Sequence, residues 1–141
     1  MNGLEESFAG YISFLRRQFV QYCSEKLAEL GVTYGQLFVV IFVGKRENCA
    51  PKEITQALKL DAGQLNRMIV KLIEQGILVQ RKNEQDKRAN IVSLTPKGKE
   101  VFQRSKELFG EWDQEVLTSL SKEERETLLA LMRKISVQKG H

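Results

Sequence analysis

Residues 61–98 restrict the fold more than any other part of the chain, because the spacing of apolar residues changes twice within them. Asp61 with Gln64 is a helix-opening cap, and Leu65, Met68, Ile69, Leu72, Ile73 and Gly76 then recur on one side of a helix. Gly76 ends that helix. Residues 77–80 and 90–94 are short strand-like runs on either side of a charged segment, 81–89. Thr95 caps a further helix whose first residue is Pro96, where proline is best tolerated. Helix, charged hairpin and helix therefore follow one another within 38 residues.

The remainder is helical. Leu4, Phe8, Tyr11, Ile12, Leu15, Phe19, Tyr22, Cys23, Leu27 and Leu30 recur at three- and four-residue steps, and Gly31 closes this long first helix. Thr33 and Gln36 form a capping box for a second helix through Leu37, Val40 and Ile41. The β-branched run at 39–43 also suits a strand, but the cap and the neighbouring helices favour helix. Residues 51–58 form a short third helix led by Pro51, with Ile54, Ala57 and Leu58 inward. The helix after Pro96 carries Val101, Leu108, Phe109, Trp112, Val116 and Leu120. Ser121 with Glu124 opens a last helix bearing Leu128, Leu131, Met132 and Ile135. The expected fold class is mainly α, an α+β winged helix of order α-α-α-α-β-β-α-α.

Charge separates the chain into a middle and two ends. Residues 45–99 hold 12 basic and 6 acidic residues, a net +6, whereas 1–44 (3 basic, 4 acidic) and 100–141 (7 basic, 8 acidic) are each −1. A cationic middle between near-neutral ends fits one lobe approaching a polyanion while the ends do another job. No apolar run nears the ~20 residues of a membrane span. The first residues lack a basic, then apolar, export signal, so a cytoplasmic protein is expected. Cys23 and Cys49 form no CxxC pair.

On the helix at 61–76, Gly63, Gln64, Arg67, Val70, Lys71 and Glu74 fall opposite the apolar side, with Asn66 on the flank. Gln suits the major-groove edge of adenine and Arg that of guanine. Small Ala62 and Gly63 would let the helix N-terminus approach a phosphate. The hairpin gathers Arg81, Lys82, Lys87 and Arg88, with Asp86 two residues before Arg88. Arginine gains from the concentrated potential of a narrow minor groove, and a neighbouring carboxylate can hold it extended.

These pieces together, with Gly76-Ile77-Leu78, Asp86-Lys87-Arg88 and Leu94-Thr95-Pro96-Lys97-Gly98, resemble the winged helix-turn-helix of the MarR family of bacterial transcription regulators. The motifs cover residues 33–98, and the flanking helices match the family in order and approximate length. The resemblance implies a recognition helix at 61–76 and a wing whose Arg88 enters the minor groove. It also implies a homodimer built from helices at 1–32 and 99–141, binding pseudo-palindromic double-stranded operators. The family commonly represses transcription and is released by small ligands or oxidants. The apolar, near-neutral ends support a dimer independently.

Three sensing devices follow from the resemblance. A small-molecule pocket would draw on Tyr11, Phe14, Leu15, Tyr34, Phe38, Phe109 and Trp112, although each also suits plain core or dimer interface. Some relatives sense peroxide through a first-helix cysteine near tyrosines, which here selects Cys23. It lies late in that helix with only Lys26 a turn away, so a buried, inert thiol is the simpler reading. Cys49, before Pro51, is expected to be more exposed. Zinc-sensing relatives use histidine clusters, and the sole histidine here is His141. No metal or cofactor is expected, and no phosphate loop, GxSxG or HExxH points to an enzyme. The competing reading is a winged-helix module that docks a protein, which acidic residues on the recognition face would favour. That face carries Arg67 and Lys71 against Glu74 alone.

Overall fold

Helix α1 (Phe8–Leu27) begins where the Ser7 hydroxyl accepts the Gly10 N–H at 3.0 Å and runs into a 3-10 turn, Ala28–Leu30. The structure, a computed structural model, describes residues 5–138. Leu4, the export-signal reading of residues 1–4 and His141 therefore fall outside the described residues. Gly31 ends the turn with φ +71°, a conformation that glycine adopts without strain.

Thr33 opens α2 (Tyr34–Arg46) with both arms of its capping box formed: Gln36 N–H donates to Thr33 Oγ1 at 3.2 Å, and Thr33 N–H donates to Gln36 Oε1 at 3.0 Å. The ambiguous run at 39–43 is helical. Val39, Val40 and Val43 are fully buried and Ile41 and Phe42 partly so. A helix apolar nearly all round is a central helix, and burial outweighs the modest helix propensity of its β-branched residues.

A two-residue strand that the periodicity did not announce follows, β1 (Asn48–Cys49). It leads into α3 (Pro51–Leu58), where Glu53 reaches back to accept the Ala50 N–H at 2.8 Å. Helix α4 (Ala62–Glu74) is capped by Asp61, whose carboxylate accepts the Gln64 N–H at 2.7 Å. Strands β2 (Leu78–Lys82) and β3 (Asn90–Leu94) pair antiparallel, with Gln80 opposite Val92 and Lys82 opposite Asn90. Strand β1 adds to the other side of β3, placing Cys49 opposite Val92 and giving the order β1-β3-β2.

Three sequence expectations about burial need correction. Cys49 is 3% exposed, because strand pairing draws its side chain inward beneath the sheet. Ala57 is exposed, leaving Ile54 as the fully buried residue of α3 and Leu58 half-buried. Ile73 is 38% exposed, since α4 is contacted along a narrower stripe than its apolar side offers.

The chain forms two compact units, residues 1–108 and 109–141. In the first, Cys23 and Leu27 of α1 join Leu37, Ile54, Leu65, Leu72, Ile77, Leu78, Val92, Val101 and Leu108 in one core. Each fully buried aliphatic side chain there stabilises the fold by about 1.5–3 kcal/mol. Helix α5 (Pro96–Val116) starts in this unit, with Gly98, Val101, Ser105 and Leu108 buried. In the second unit α5 ends at Val116, short of Leu120, and α6 (Lys122–Gln138) begins at Ser121, whose capping box with Glu124 is complete. Arg125 Nε donates to Leu117 O at 3.1 Å and ties the turn between them.

The close approach of α5 to the exit of α4 leaves no room for a side chain. A Cβ on Gly98 would lie 2.2 Å from the carbonyl oxygen of Ile77, a backbone atom that cannot swing away. Gly98→Ala is therefore expected to destabilise the protein by about 2–3 kcal/mol, read as a lower urea midpoint. An unchanged midpoint would show that the two segments can separate freely.

Candidate nucleic-acid interface

Helix α4 packs through Leu65, Ile69 and Leu72 and leaves its opposite side in solvent. Gly63, Gln64, Asn66, Arg67, Val70, Lys71 and Glu74 are all exposed there. Arg67 leans toward the start of the helix, and a Cβ on Gly63 would meet its Nη1 at 3.6 Å, an ordinary contact. Gly63 is thus tolerated by the fold rather than demanded by it. Asp61 caps the first turn of α4, whose Ala62, Gly63 and Gln64 are exposed.

The wing is ordered by its own polar groups. Asn83 Oδ1 accepts the Gln85 N–H at 2.9 Å, Asp86 Oδ1 accepts the Arg88 N–H at 3.1 Å, and Asp86 O accepts the Ala89 N–H at 2.9 Å. Asn83 N–H donates to Ala89 O at 3.0 Å and closes the loop. Arg88 is 94% exposed, and its Nε stands 3.5 Å from Asp86 Oδ1. A pair so exposed contributes little to stability. The same Asp86 carboxylate accepts the backbone N–H of the turn and lies beside the guanidinium. Lys87 lies beside it in the loop, whereas Arg81 and Lys82 sit in β2, not at the tip as the expected strand limits placed them. All four cations are exposed.

Sequence reasoning overlooked the helix before α4. Pro51, Lys52 and Thr55 of α3 line a shallow groove with Asn66 of α4 and with Gln80 and Asn90 at the base of the wing. The available signal was the basic residue at the second position of a proline-led helix in a helix-turn-helix, whose first helix lies across the DNA backbone.

The residues of the first unit expected to line an effector pocket fall in two places. Tyr11, Phe14 and Leu15 line a groove of about 510 Å³ along α1 with Ser13 and Arg17. Tyr34 instead stacks edge-on between Phe19 and Phe38, at 6.1 and 5.0 Å, with the Arg16 guanidinium 6.0 Å above its ring. Burial raises the Tyr34 phenol above its ordinary pKa, and Arg16 partly offsets this. Phe109 and Trp112 belong to the second unit, the former 37% exposed and the latter half-buried. Among the described residues, no cluster of three or more His, Cys, Asp or Glu could hold a metal ion.

A capped helix presenting Gln, Asn, Arg and Lys, beside a cationic hairpin held at its tip, defines a winged helix-turn-helix DNA-binding transcription regulator. Known proteins agree. The family described as transcriptional regulator SarA/Rot matches residues 21–105. The HTH-type transcriptional regulator BilQ of Clostridium symbiosum is 37% identical over 136 residues, 96% of this chain and 94% of that protein. The multiple antibiotic resistance protein MarR of Escherichia coli is 30% identical over 113 residues, 79% of this chain and 78% of its own length. A solved structure of a MarR variant from E. coli complexed with operator DNA superposes with a TM-score of 0.79 at 26% identity, covering 96% of this chain and 99% of that one. The chain belongs to the MarR family of transcriptional regulators.

Both cysteines are fully or nearly fully buried, and desolvation raises each thiol from its ordinary 9.0 to about 11. For Cys49 the nearby Glu53 adds to the shift and Arg46 opposes it. Near neutral pH neither supplies a thiolate, the reactive form. The native protein should therefore leave a thiol-specific disulfide reagent unconsumed at pH 8 and react only on unfolding. Because these pKa values are raised in the folded state, their contribution to stability is intact below pH 9.0 and is lost as pH climbs toward about 11. Urea midpoints measured from pH 8 upward should fall in that window. Rapid reaction of Cys23 in the native state would reopen the redox reading.

Proposed function

We propose that the protein is a cytoplasmic homodimer that binds a pseudo-palindromic operator in duplex DNA and represses transcription until an effector releases it. The observation carrying this reading is the shared exposure of Gln64, Asn66, Arg67 and Lys71 on α4 and of Arg88, held by Asp86, on the wing of the same lobe. In this reading α4 enters the major groove, Gln64 and Arg67 read base edges, and Arg88 enters the adjacent minor groove. Asp86 positions Arg88 and makes no contact of its own. Lys52, Lys71, Arg81, Lys82 and Lys87 neutralise phosphates, which makes affinity fall steeply with salt.

The dimer is supported by apolar surface that one chain leaves uncovered. Phe8, Tyr11, Ile12 and Phe14 of α1 are 39–55% exposed, and Leu128, Leu129, Leu131 and Ile135 of α6 are 37–53% exposed. Large apolar side chains left exposed along a helix are characteristic of interfaces. A two-fold pair would set the recognition helices about one DNA turn apart, ~34 Å. Among the described residues no single helix is long and apolar enough to cross a membrane, in keeping with a cytoplasmic regulator. Repression follows the commoner behaviour of the family, and the groove beside Tyr11, Phe14 and Leu15 is the stronger candidate for an effector.

Mobility shift of a genomic operator fragment against a random duplex, at low and high salt, tests the DNA reading. Arg67→Ala should weaken operator binding by about 1–3 kcal/mol and relax base preference. Arg88→Ala should weaken it with a smaller loss of preference in the major groove. Equal binding by wild type and both variants would remove the assignment and favour a protein-docking module. Sedimentation of Leu128→Glu/Leu131→Glu, expected to be monomeric where the wild type is dimeric, tests the interface separately.

A further inference from the structure

We propose that Gln75 is a positioning residue for DNA recognition, forming with Gln36 a two-amide clasp that sets the aim of α4 and so its discrimination between base sequences. The inference rests on the DNA-binding role of α4. Apolar contacts hold the inner side of that helix, and they are non-directional, so they resist separation better than they resist small rotations. The directional contacts gather at its C-terminal end. Gln36 Nε2 donates to Gln75 Oε1 at 3.2 Å, and Gln75 Nε2 donates to the Gly31 carbonyl. The Oε1 of Gln36 is already engaged by the Thr33 N–H at 3.0 Å, so that amide has no freedom to turn over.

Gln36 is 4% exposed, a polar side chain held in the interior with both ends of its amide used. Gln75 is tied a third time through its backbone, where the Lys97 Nζ donates to its carbonyl at 2.9 Å. One residue immediately after α4 thus joins the corner between α1 and α2 to the start of α5. Stopping the helix does not require this clasp. The Gly76 N–H to Ile73 O and Ile77 N–H to Leu72 O bonds, both 2.9 Å, already close its end.

The lever is geometric. From Gln75 back to Gln64 the helix extends about 16 Å, so a tilt of roughly 5° at the clasp moves the base-reading end by roughly 1.4 Å. Bidentate contacts require positions held to about 0.5 Å. Freeing the clasp should therefore cost specific binding and leave phosphate-driven attraction, which is tolerant of geometry.

The test compares affinity for a duplex that the wild type selects from a randomised pool with affinity for unselected duplex, well below the melting temperature. Gln75→Leu should lower the ratio of the two affinities about tenfold with little change for unselected duplex. Thr33→Ala removes a cap bond at the same corner but leaves the clasp, so it should lower the melting temperature and keep the ratio. If Gln75→Leu does not fold, Gln75→Glu retains an acceptor for Gln36, drops the donor to Gly31, and should also lower the ratio. An unchanged ratio in the folded Gln75 variant, or an equal fall in Thr33→Ala, would overturn the proposal. A wild type that binds neither duplex would remove the DNA reading itself and the clasp with it.

Discussion

The placement of α4 and of the hairpin depends on how the start of α5 closes against the exit of α4. Thr95 makes four bonds there. Its N–H donates to Ile77 O at 3.0 Å, its single hydroxyl proton is shared between the carbonyls of Gly76 and Ile77, and its Oγ1 accepts the Gly98 N–H at 3.0 Å. The hydroxyl thereby caps α5 and satisfies carbonyls that the end of α4 leaves over. Gly98 allows the approach because its missing side chain would occupy the space of the Ile77 carbonyl. Closure at this point sets where β2 begins, and so where the hairpin projects relative to α4. The run Thr95-Pro96-Lys97-Gly98 is a joint, with hydroxyl, ring, ammonium and absent side chain all used.

Two kinds of interaction then divide the work. The core of the first unit is aliphatic and supplies the stability, whereas the surface polar groups supply orientation. Asp86 illustrates the second kind: its pair with Arg88 stabilises little, yet the same carboxylate closes a turn of the wing through the Arg88 N–H. Capping groups at Ser7, Thr33, Asp61 and Ser121 do the same for helix starts, each contributing about 1 kcal/mol. Burial also removes chemistry. Cys23 and Cys49 lie where desolvation disfavours the thiolate.

Helix starts were the most legible features, because caps act within three or four residues. Thr33 with Gln36, Asp61, Thr95 with Pro96, and Ser121 with Glu124 all open helices at the positions their side chains indicate. Strand β3 was equally clear. The errors have a common cause, which is dependence on a partner distant in sequence. Two residues cannot show a strand periodicity, so β1 exists only because β3 accepts it, and Cys49 is buried for the same reason. Arg81 and Lys82 read as loop because they are charged, but pairing with Ile91 and Asn90 makes them strand.

The amino-acid order by itself determined the number and kind of long elements, where most of the helices begin, and the cationic character of the middle of the chain. Each of these is set by local capping, periodicity and composition. Only the tertiary structure decided that Gln36, 39 residues before Gln75, meets it across the end of α4. It likewise decided that Tyr34 and Phe38 stack at the margin of the core while Tyr11 and Phe14 face outward. No local pattern encodes which side of an amphipathic helix finds a neighbour, because that depends on surface supplied by residues far along the chain.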